Sequence, residues 1–299
     1  MLKTVLTLLL ASTLHSGSVV RPTELTTKAP WENKPILSVQ PLPQKNPDIQ
    51  NPEITANSAM VVDLDSGKIL YEKNSTNRVP IASLTKLMTG IIIAEEETPH
   101  TIVKVSERAS GIEGSKVWLN SGEEISVKNL MYGMMIASGN DAAVALSEFN
   151  AGSLENFVKK MNEKSEKLGL KNTHFSNPMG FDENTNYSTA EDMAILSMLV
   201  LKKPILVEAS EKDRYKIQSE SGIEHEVVTT NKLLTENQII GGFKIEGLKT
   251  GTTPEAGECL ITRALNPEGH EILTVVLGSK DRFSDTKGLI NWVAESYSW

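Results

Sequence analysis

The sequence predicts an α/β protein of the α+β type, an antiparallel sheet flanked by helices and assembled from both ends of the chain around an inserted helical region. Three observations carry this. Residues 58–71 read as a β-hairpin, residues 86–201 as mostly helical, and strand patterns return after Lys216 before a closing helix from Asp285 to Ser296.

The elements follow in chain order. Met1 to Val20 begins with Lys3 and carries an apolar stretch from Thr4 to Leu14, interrupted only by Thr and Ser. Ser16 and Ser18 then form a small-x-small site, as in a secretory signal peptide. The run is short of the roughly 18 residues a spanning helix needs, so cleavage is expected and an uncleaved anchor is the second reading. No cysteine follows it for lipid attachment. Residues 21–53 hold seven of the 13 prolines and lack periodicity, so a semi-rigid extended linker is expected there. The folded domain is expected over 54–299.

Ser58 to Leu64 is apolar and β-branched, Asp65-Ser66-Gly67 is a turn signal, and Lys68 to Tyr71 resumes a strand. After Pro80, the apolar run Leu84, Leu87, Met88, Ile91 to Ile93 is too long for a strand. It predicts a buried helix from near Ala82 into the acidic Glu95-Glu96-Glu97. Val127 to Glu148 is helical with a break at Ser138-Gly139-Asn140-Asp141. Leu154 to Leu168 is amphipathic, and Thr189 with Asp192 suggests a capping box ahead of Leu201. Gly247 to Thr250, Gly257 to Leu265 and Glu271 to Gly278 are strand-like, with Asn266-Pro267-Glu268-Gly269 as a turn.

Composition excludes some functions. The 299 residues have a formal charge of −8 and no Lys/Arg-rich run, which argues against nucleic acid as a partner. A single cysteine, Cys259, allows no internal disulfide. It falls mid-strand, so a buried apolar role is expected.

Three short motifs bear chemistry. Ser83 and Lys86 are three residues apart, on one helix face near its N-terminus, where free N–H groups and the dipole favour an anion. A hydroxyl beside an amine in such a field suits an activated nucleophile. Alone the pair is weak: about one Ser-x-x-Lys is expected by chance in a chain of this composition, and a second spans Ser284 to Lys287. Ser138 and Asn140 occupy the helix break, which exposes side chains. A second Ser-x-Asn lies at Ser75 to Asn77. Lys249-Thr250-Gly251 occurs once. A lysine and a threonine on a strand can bind a carboxylate, and a glycine beside them lets a substrate backbone approach.

Other catalytic signatures are missing. There is no Gly-x-Ser-x-Gly elbow. His225-Glu226 lacks the second histidine of a zinc-protease helix. Gly242 to Thr250 has Leu248 where a P-loop needs lysine. No metal and no cofactor is implied.

The ordered set Ser-x-x-Lys, Ser-x-Asn, Lys-Thr-Gly is more specific than any part. With RVPIASLTKLMTG, SVKNLMYGMMIASGNDAAVALSE, KLGLKNTHFSNPMGFD and EGLKTGTTPEAGECL, the chain resembles the low-molecular-mass penicillin-binding proteins, serine D-alanyl-D-alanine carboxypeptidases of peptidase family S11. The resemblance spans most of residues 58–299. It implies a β-lactamase/transpeptidase-like fold. The implied nucleophile is Ser83 and the general base Lys86, made neutral by burial and by Lys249. Ser138 would relay a proton to the leaving amine. Asn140 would bind the substrate amide and hold Lys86. Lys249, Thr250 and Gly251 would bind the terminal carboxylate, and the N–H groups of Ser83 and Thr252 would form the oxyanion hole.

The implied partners are peptidoglycan stem peptides, with β-lactams as covalent inhibitors, on the outer side of the cell envelope. The chain stops at Trp299, at the end of the catalytic region, so membrane association is expected only through the N-terminus. Alternatives are a D,D-endopeptidase acting on cross-links, a β-lactamase, for which no Glu-x-x-Leu-Asn loop is found, and a non-catalytic wall-binding module. The second Ser-x-x-Lys, out of order, is read as surface helix, and His174 as structural or on the cleft rim.

Overall fold

A computed structural model describes residues 42–235 and 239–299. The export segment expected at residues 1–20, and the linker up to residue 41, lie outside the described residues. The main sheet contains β1 (Ser58–Asp63), β2 (Ile69–Lys73), β3 (Ile239–Ile240), β4 (Phe243–Thr253), β5 (Gly257–Leu265) and β6 (Glu271–Ser279). Their order is β3-β4-β5-β6-β1-β2, and every pairing is antiparallel. The two ends of the chain meet at β1 and β6, where Val61 lies opposite Thr274.

Period-2 geometry explains why β1 is buried throughout, with an apolar run from Ala59 to Val62, rather than alternating. Met60 and Val62 face a large core shared with the helical region, while Ala59 and Val61 face a second core under the C-terminal helix. Both faces of the sheet are covered. The turns follow their residues: Asp63 accepts from the N–H of Ser66 through its side chain and from that of Gly67 through its carbonyl, and Asn266 closes the last hairpin by accepting from Gly269 N.

The helices are α1 (Lys86–Glu96), α2 (Val127–Ile136), α3 (Asn140–Ala151), α4 (Leu154–Lys167), α5 (Ala190–Val200), α6 (Pro204–Ser210) and α7 (Arg282–Ser296). Side-chain caps set several starts: Ser126 accepts from Asn129 N, Ser153 from Asn156 N and Thr189 from Asp192 N. The capping box is only half made, because the Asp192 carboxylate accepts instead from Asn172 N and the Thr173 hydroxyl. Asp281 caps α7, which therefore begins at Arg282 rather than at the expected Asp285. None of the helices among the described residues is long and apolar enough to cross a membrane.

One boundary differs from expectation. Residues 42–53, expected to be extended linker, lie against the domain. Gln44–Lys45 pairs with Tyr297–Ser298. Trp292 Nε1 donates to Gln50 O at 2.8 Å, and Lys68 Nζ donates to Pro43 O at 2.5 Å. The segment thus pairs with the backbone after α7, and Lys45 lies over the Trp292 ring at 5.1 Å.

Candidate active site

The motif residues converge where α1, the α2–α3 break and β4 meet. Ser83 lies in a 3₁₀ turn, Ala82–Thr85, and α1 proper starts at Lys86. The helix expected from Ala82 starts late because Ala82 is in the left-handed region, with φ 48°, an unfavourable conformation for a residue with a Cβ. Gly180 presses against this turn. A Cβ there would stand 2.0 Å from Ala82 O and 2.8 Å from Ser83 N, at φ +91°, so only glycine fits. From the other side comes β4, where a Cβ on Gly251 would meet Ser83 N at 3.0 Å. The glycine of Lys-Thr-Gly thus lets the strand backbone approach the Ser83 amide.

Lys86 is wholly buried, at 0% exposure. Its Nζ lies 2.9 Å from Ser83 Oγ, 2.7 Å from Asn140 Oδ1 and 2.7 Å from Met179 O. A neutral amine has two N–H bonds and one lone pair. In that form it donates to Asn140 and Met179 and accepts the Ser83 hydroxyl proton. The neutral form is the one the surroundings favour: burial holds the Lys86 pKa well below the lysine range, the Lys249 charge adds to this, and Asp141 opposes it.

Each partner of Lys86 is fixed. Asn140 begins α3, and its Nδ2 donates to Glu113 O at 2.7 Å. Met179 O is presented by a turn in which Asn177 Oδ1 accepts from the N–H groups of Met179, Gly180 and Phe181. Thr89 staples that turn to α1 by donating to Pro178 O. Ser138, also at positive φ (58°), is buried, and its Oγ has no hydrogen-bond partner among the described residues.

The Lys-Thr-Gly strand supplies positive charge. Lys249 is 2% exposed and donates to Thr250 O at 3.0 Å. Burial and the neighbouring Arg282 guanidinium lower its pKa to about 7. The Thr250 and Thr230 hydroxyls are hydrogen-bonded. Arg282 Nη1 donates to Gly251 O at 2.9 Å and contacts Thr252 Oγ1. From Leu248 to Thr253, β4 pairs with β5 on one side, and no strand pairs with the other among the described residues. An extended peptide could add there.

The structure therefore brings Ser83, Lys86, Asn140 and Gly251 together, with Lys249 acting on Lys86 by charge; Thr250 and Thr252 flank Gly251 on β4, and Ser138 lies two residues before Asn140. The sequence reading missed Met179, Gly180, Glu113, Thr230, Arg282 and Asp141. The first and third contribute backbone carbonyls, which leave no side-chain signature. Arg282 lies only three residues from the end of β6 and could have been found as the sole arginine near the strand block's end. Ser284 is exposed on α7, as expected of surface helix. His174 bridges to Tyr187, and its Nδ1 donates to Thr185 O at 2.7 Å. Cys259 faces Gly251 across the β4–β5 register, wholly buried, and burial pushes its thiol to about 11. Among the described residues no cluster of His, Cys, Asp or Glu could hold a metal ion.

Known proteins share this arrangement. The family model for D-alanyl-D-alanine carboxypeptidase, peptidase S11, matches residues 45–281. The D-alanyl-D-alanine carboxypeptidase DacF of Bacillus subtilis is 38% identical over 250 residues, covering 81% of this chain. The chain spans only 63% of that relative's length. A D-alanyl-D-alanine endopeptidase of Pseudomonas aeruginosa is 32% identical, covering 86% of this chain and 83% of its own. Among solved structures, the DD-transpeptidase of Streptomyces K15 superposes with a TM-score of 0.75 at 28% identity, over 82% of this chain and 99% of that one. A match across so much of the described domain, in fold and in sequence together, means that this chain belongs to the D-alanyl-D-alanine carboxypeptidase family, peptidase S11.

Proposed function

We propose that the chain is a serine D,D-carboxypeptidase. It removes the terminal D-alanine from peptidoglycan stem peptides through an acyl-enzyme, and β-lactams acylate the same serine. The observation that carries this is the buried Lys86 amine, 2.9 Å from Ser83 Oγ and facing a second buried lysine. A lysine held neutral at a serine is a general base.

Ser83 Oγ attacks the carbonyl carbon of the penultimate residue as its proton passes to Lys86. The N–H groups of Ser83 and Thr252 bind the oxyanion. Ser138, buried and with no hydrogen-bond partner among the described residues, relays to the departing amine nitrogen the proton that Lys86 took from Ser83, so that Lys86 is neutral again as D-alanine leaves. Asn140 holds Lys86 and the substrate amide. Water then attacks the ester, giving its proton to Lys86, and Ser83 is regenerated. Lys249, Thr250 and Arg282 hold the terminal carboxylate, a charge-assisted contact. Such a substrate lies outside the cytoplasm. The apolar stretch and small-x-small site in residues 1–20 support export.

A second reading, cleavage of cross-links, is favoured by the Pseudomonas endopeptidase, of which this chain covers 83%, and by the open edge of β4. Incubating the purified protein with stem peptides and with cross-linked dimers, read by mass spectrometry, decides between them. Release of D-alanine from monomeric pentapeptide is expected. Products from dimers alone would replace the carboxypeptidase reading with the endopeptidase one.

A further inference from the structure

Asn177 is buried, and both polar atoms of its side chain are engaged. Its Oδ1 accepts from the N–H groups of Met179 (3.2 Å), Gly180 (2.7 Å) and Phe181 (3.1 Å). Its Nδ2 donates to Glu183 Oε1 at 2.8 Å and to Phe181 O at 3.3 Å. The local sequence favours this. An asparagine side chain readily bonds the backbone just ahead of it, and Pro178, having no N–H, places no competing donor between the two. Residues 177–183 are thus wound around one amide.

That turn touches both reacting groups of the candidate site. Met179 O accepts from Lys86 Nζ at 2.7 Å. Gly180 packs on the 3₁₀ turn so closely that a Cβ there would stand 2.8 Å from Ser83 N. Asn186, at the far end of the same loop, donates to Thr85 Oγ1 at 3.3 Å. A neutral amine has two N–H bonds and one lone pair. With Asn140 Oδ1 and Met179 O each taking an N–H, the lone pair is left for Ser83 Oγ. Without the Met179 carbonyl, the amine can turn about its Cε–Nζ bond and donate to Ser83 Oγ. The hydroxyl proton then has no acceptor.

We propose that Asn177 is a positioning residue for acyl transfer: by holding Met179 O and Gly180 in place, it aims the Lys86 lone pair at Ser83. This rests on the acyl-transfer reading above and deepens it, since Asn177 acts only through Lys86 and the Ser83 turn. The charges that act on Lys86 are Lys249 on β4 and Asp141 on α3. The loop itself presents Glu183 to Asn177 and Asp182 to Glu255 N at 3.2 Å. All four remain in Asn177→Ala, so the sign of a pH effect can be assigned. A carbonyl facing an amine favours the protonated form. Losing that carbonyl lowers the Lys86 pKa further and moves the acidic limb of acylation to lower pH. A turn that merely opened, letting water reach Lys86, would relieve its burial and move the limb to higher pH.

The test is the second-order rate constant for acylation by benzylpenicillin, followed by intact mass across pH. The full chain is compared with Asn177→Ala and with the pair Asn177→Asp, Glu183→Gln. In Asn177→Ala the plateau should fall by roughly 10- to 100-fold, the order of loss when a reacting group is misplaced by about 1 Å, and the acidic limb should move to lower pH. The paired variant keeps an acceptor at 177, supplies a donor at 183 and leaves the net charge unchanged, so it should recover most of the lost rate. An unchanged plateau in Asn177→Ala, or a limb displaced to higher pH, would overturn the proposal. So would a paired variant no faster than Asn177→Ala. Should Asn177→Ala not fold, Asn177→Asp alone replaces it. Two carboxylates then face each other across the contact, so acylation should be slow, and adding Glu183→Gln should restore it; no restoration overturns the proposal. A native protein that takes no adduct would instead sink the acyl-transfer reading, and this proposal with it.

Discussion

Helix α1 treats charge in opposite ways at its two ends. At its C-terminal end Glu95 and Glu96 are partly exposed and meet three lysines. Lys203 lies 3.0 Å from Glu95, Lys160 lies 2.7 Å from Glu96, and Lys164 also contacts Glu95. Burial pushes the Glu95 carboxyl up, but the hydrogen bonds from Lys164 and Lys203 outweigh it and hold it below its usual range. At the N-terminal end Lys86 is wholly buried, and its hydrogen bonds go to neutral groups, Ser83, Asn140 and Met179. Of the two charges that act on it, the like charge of Lys249 outweighs the opposing Asp141. Paired charges near water stay charged and do little. A buried amine facing a like charge gives up its proton and becomes a base. The helix, 11 residues long, is a rigid frame that keeps the two regimes at its opposite ends.

The sharpest way to break this contrast is at the nucleophile. Ser83→Ala should abolish the single β-lactam adduct seen by intact mass. A persisting adduct in that variant would move the reaction to another residue. Next, Lys86→Arg keeps the charge but cannot deprotonate. Acylation should fall by roughly two orders of magnitude or more, the usual worth of a general base. Near-native rates would transfer the base role elsewhere and erase the distinction between the two helix ends.

Lys249→Met tests the like charge that Lys86 faces, and three readouts follow. Losing a charge-assisted contact should cut activity on free-carboxylate peptides by about 10- to 100-fold. C-terminally amidated peptides should react poorly with the native protein and be little affected by the substitution. Removing a positive neighbour should raise the Lys86 pKa, so the acidic limb of kcat/KM should move to higher pH. The third readout is stability. The folded pKa of Lys249, about 7, lies below its ordinary value of 10.5, so the unfolded chain binds the extra proton between those values. Stability from this group therefore rises with pH across that window, and its full cost is present below about pH 7. Replacing a buried charge with an apolar side chain often stabilises by about 1–4 kcal/mol. Lys249→Met should accordingly raise Tm most at pH 6 and progressively less towards pH 10. A lower Tm at pH 6 would mean that Lys249 is not the strained group described.

The smallest effect belongs to the other end of α1. Glu95→Ala should cost no more than about 1 kcal/mol, shrinking with added salt, because the pairs are partly exposed and screened. Acylation should be unchanged. A large loss of acylation would show that the two ends are coupled through the helix.

Much of this protein was legible in its sequence because the signals were local. The period of apolar residues gave the hairpin at 58–71 and the helices at 127–148 and 154–168. The order of three motifs gave Ser83, Lys86, Ser138, Asn140 and Lys249. Such patterns depend on neighbours along the chain, and a chain-local rule reads them. The docking of residues 42–53 was not legible, since proline-rich chain has the same composition whether it is free or laid against the ends of α7.

The state of the catalytic groups was decided only by tertiary structure. A lysine's pKa depends on what lies around it in space, and Lys86 is silenced by α2, α3 and β4 arriving from 50 to 160 residues away. Met179 O and Glu113 O are backbone atoms, present in every residue, and only the fold selects which carbonyl faces an amine. Arg282 likewise reaches Gly251 because α7 packs on β5 and β6 and begins beside β4. The sequence by itself determined which side chains were available for the chemistry. Their distances, burial and mutual charge, which set protonation and hence reactivity, came from long-range packing that no local pattern encodes.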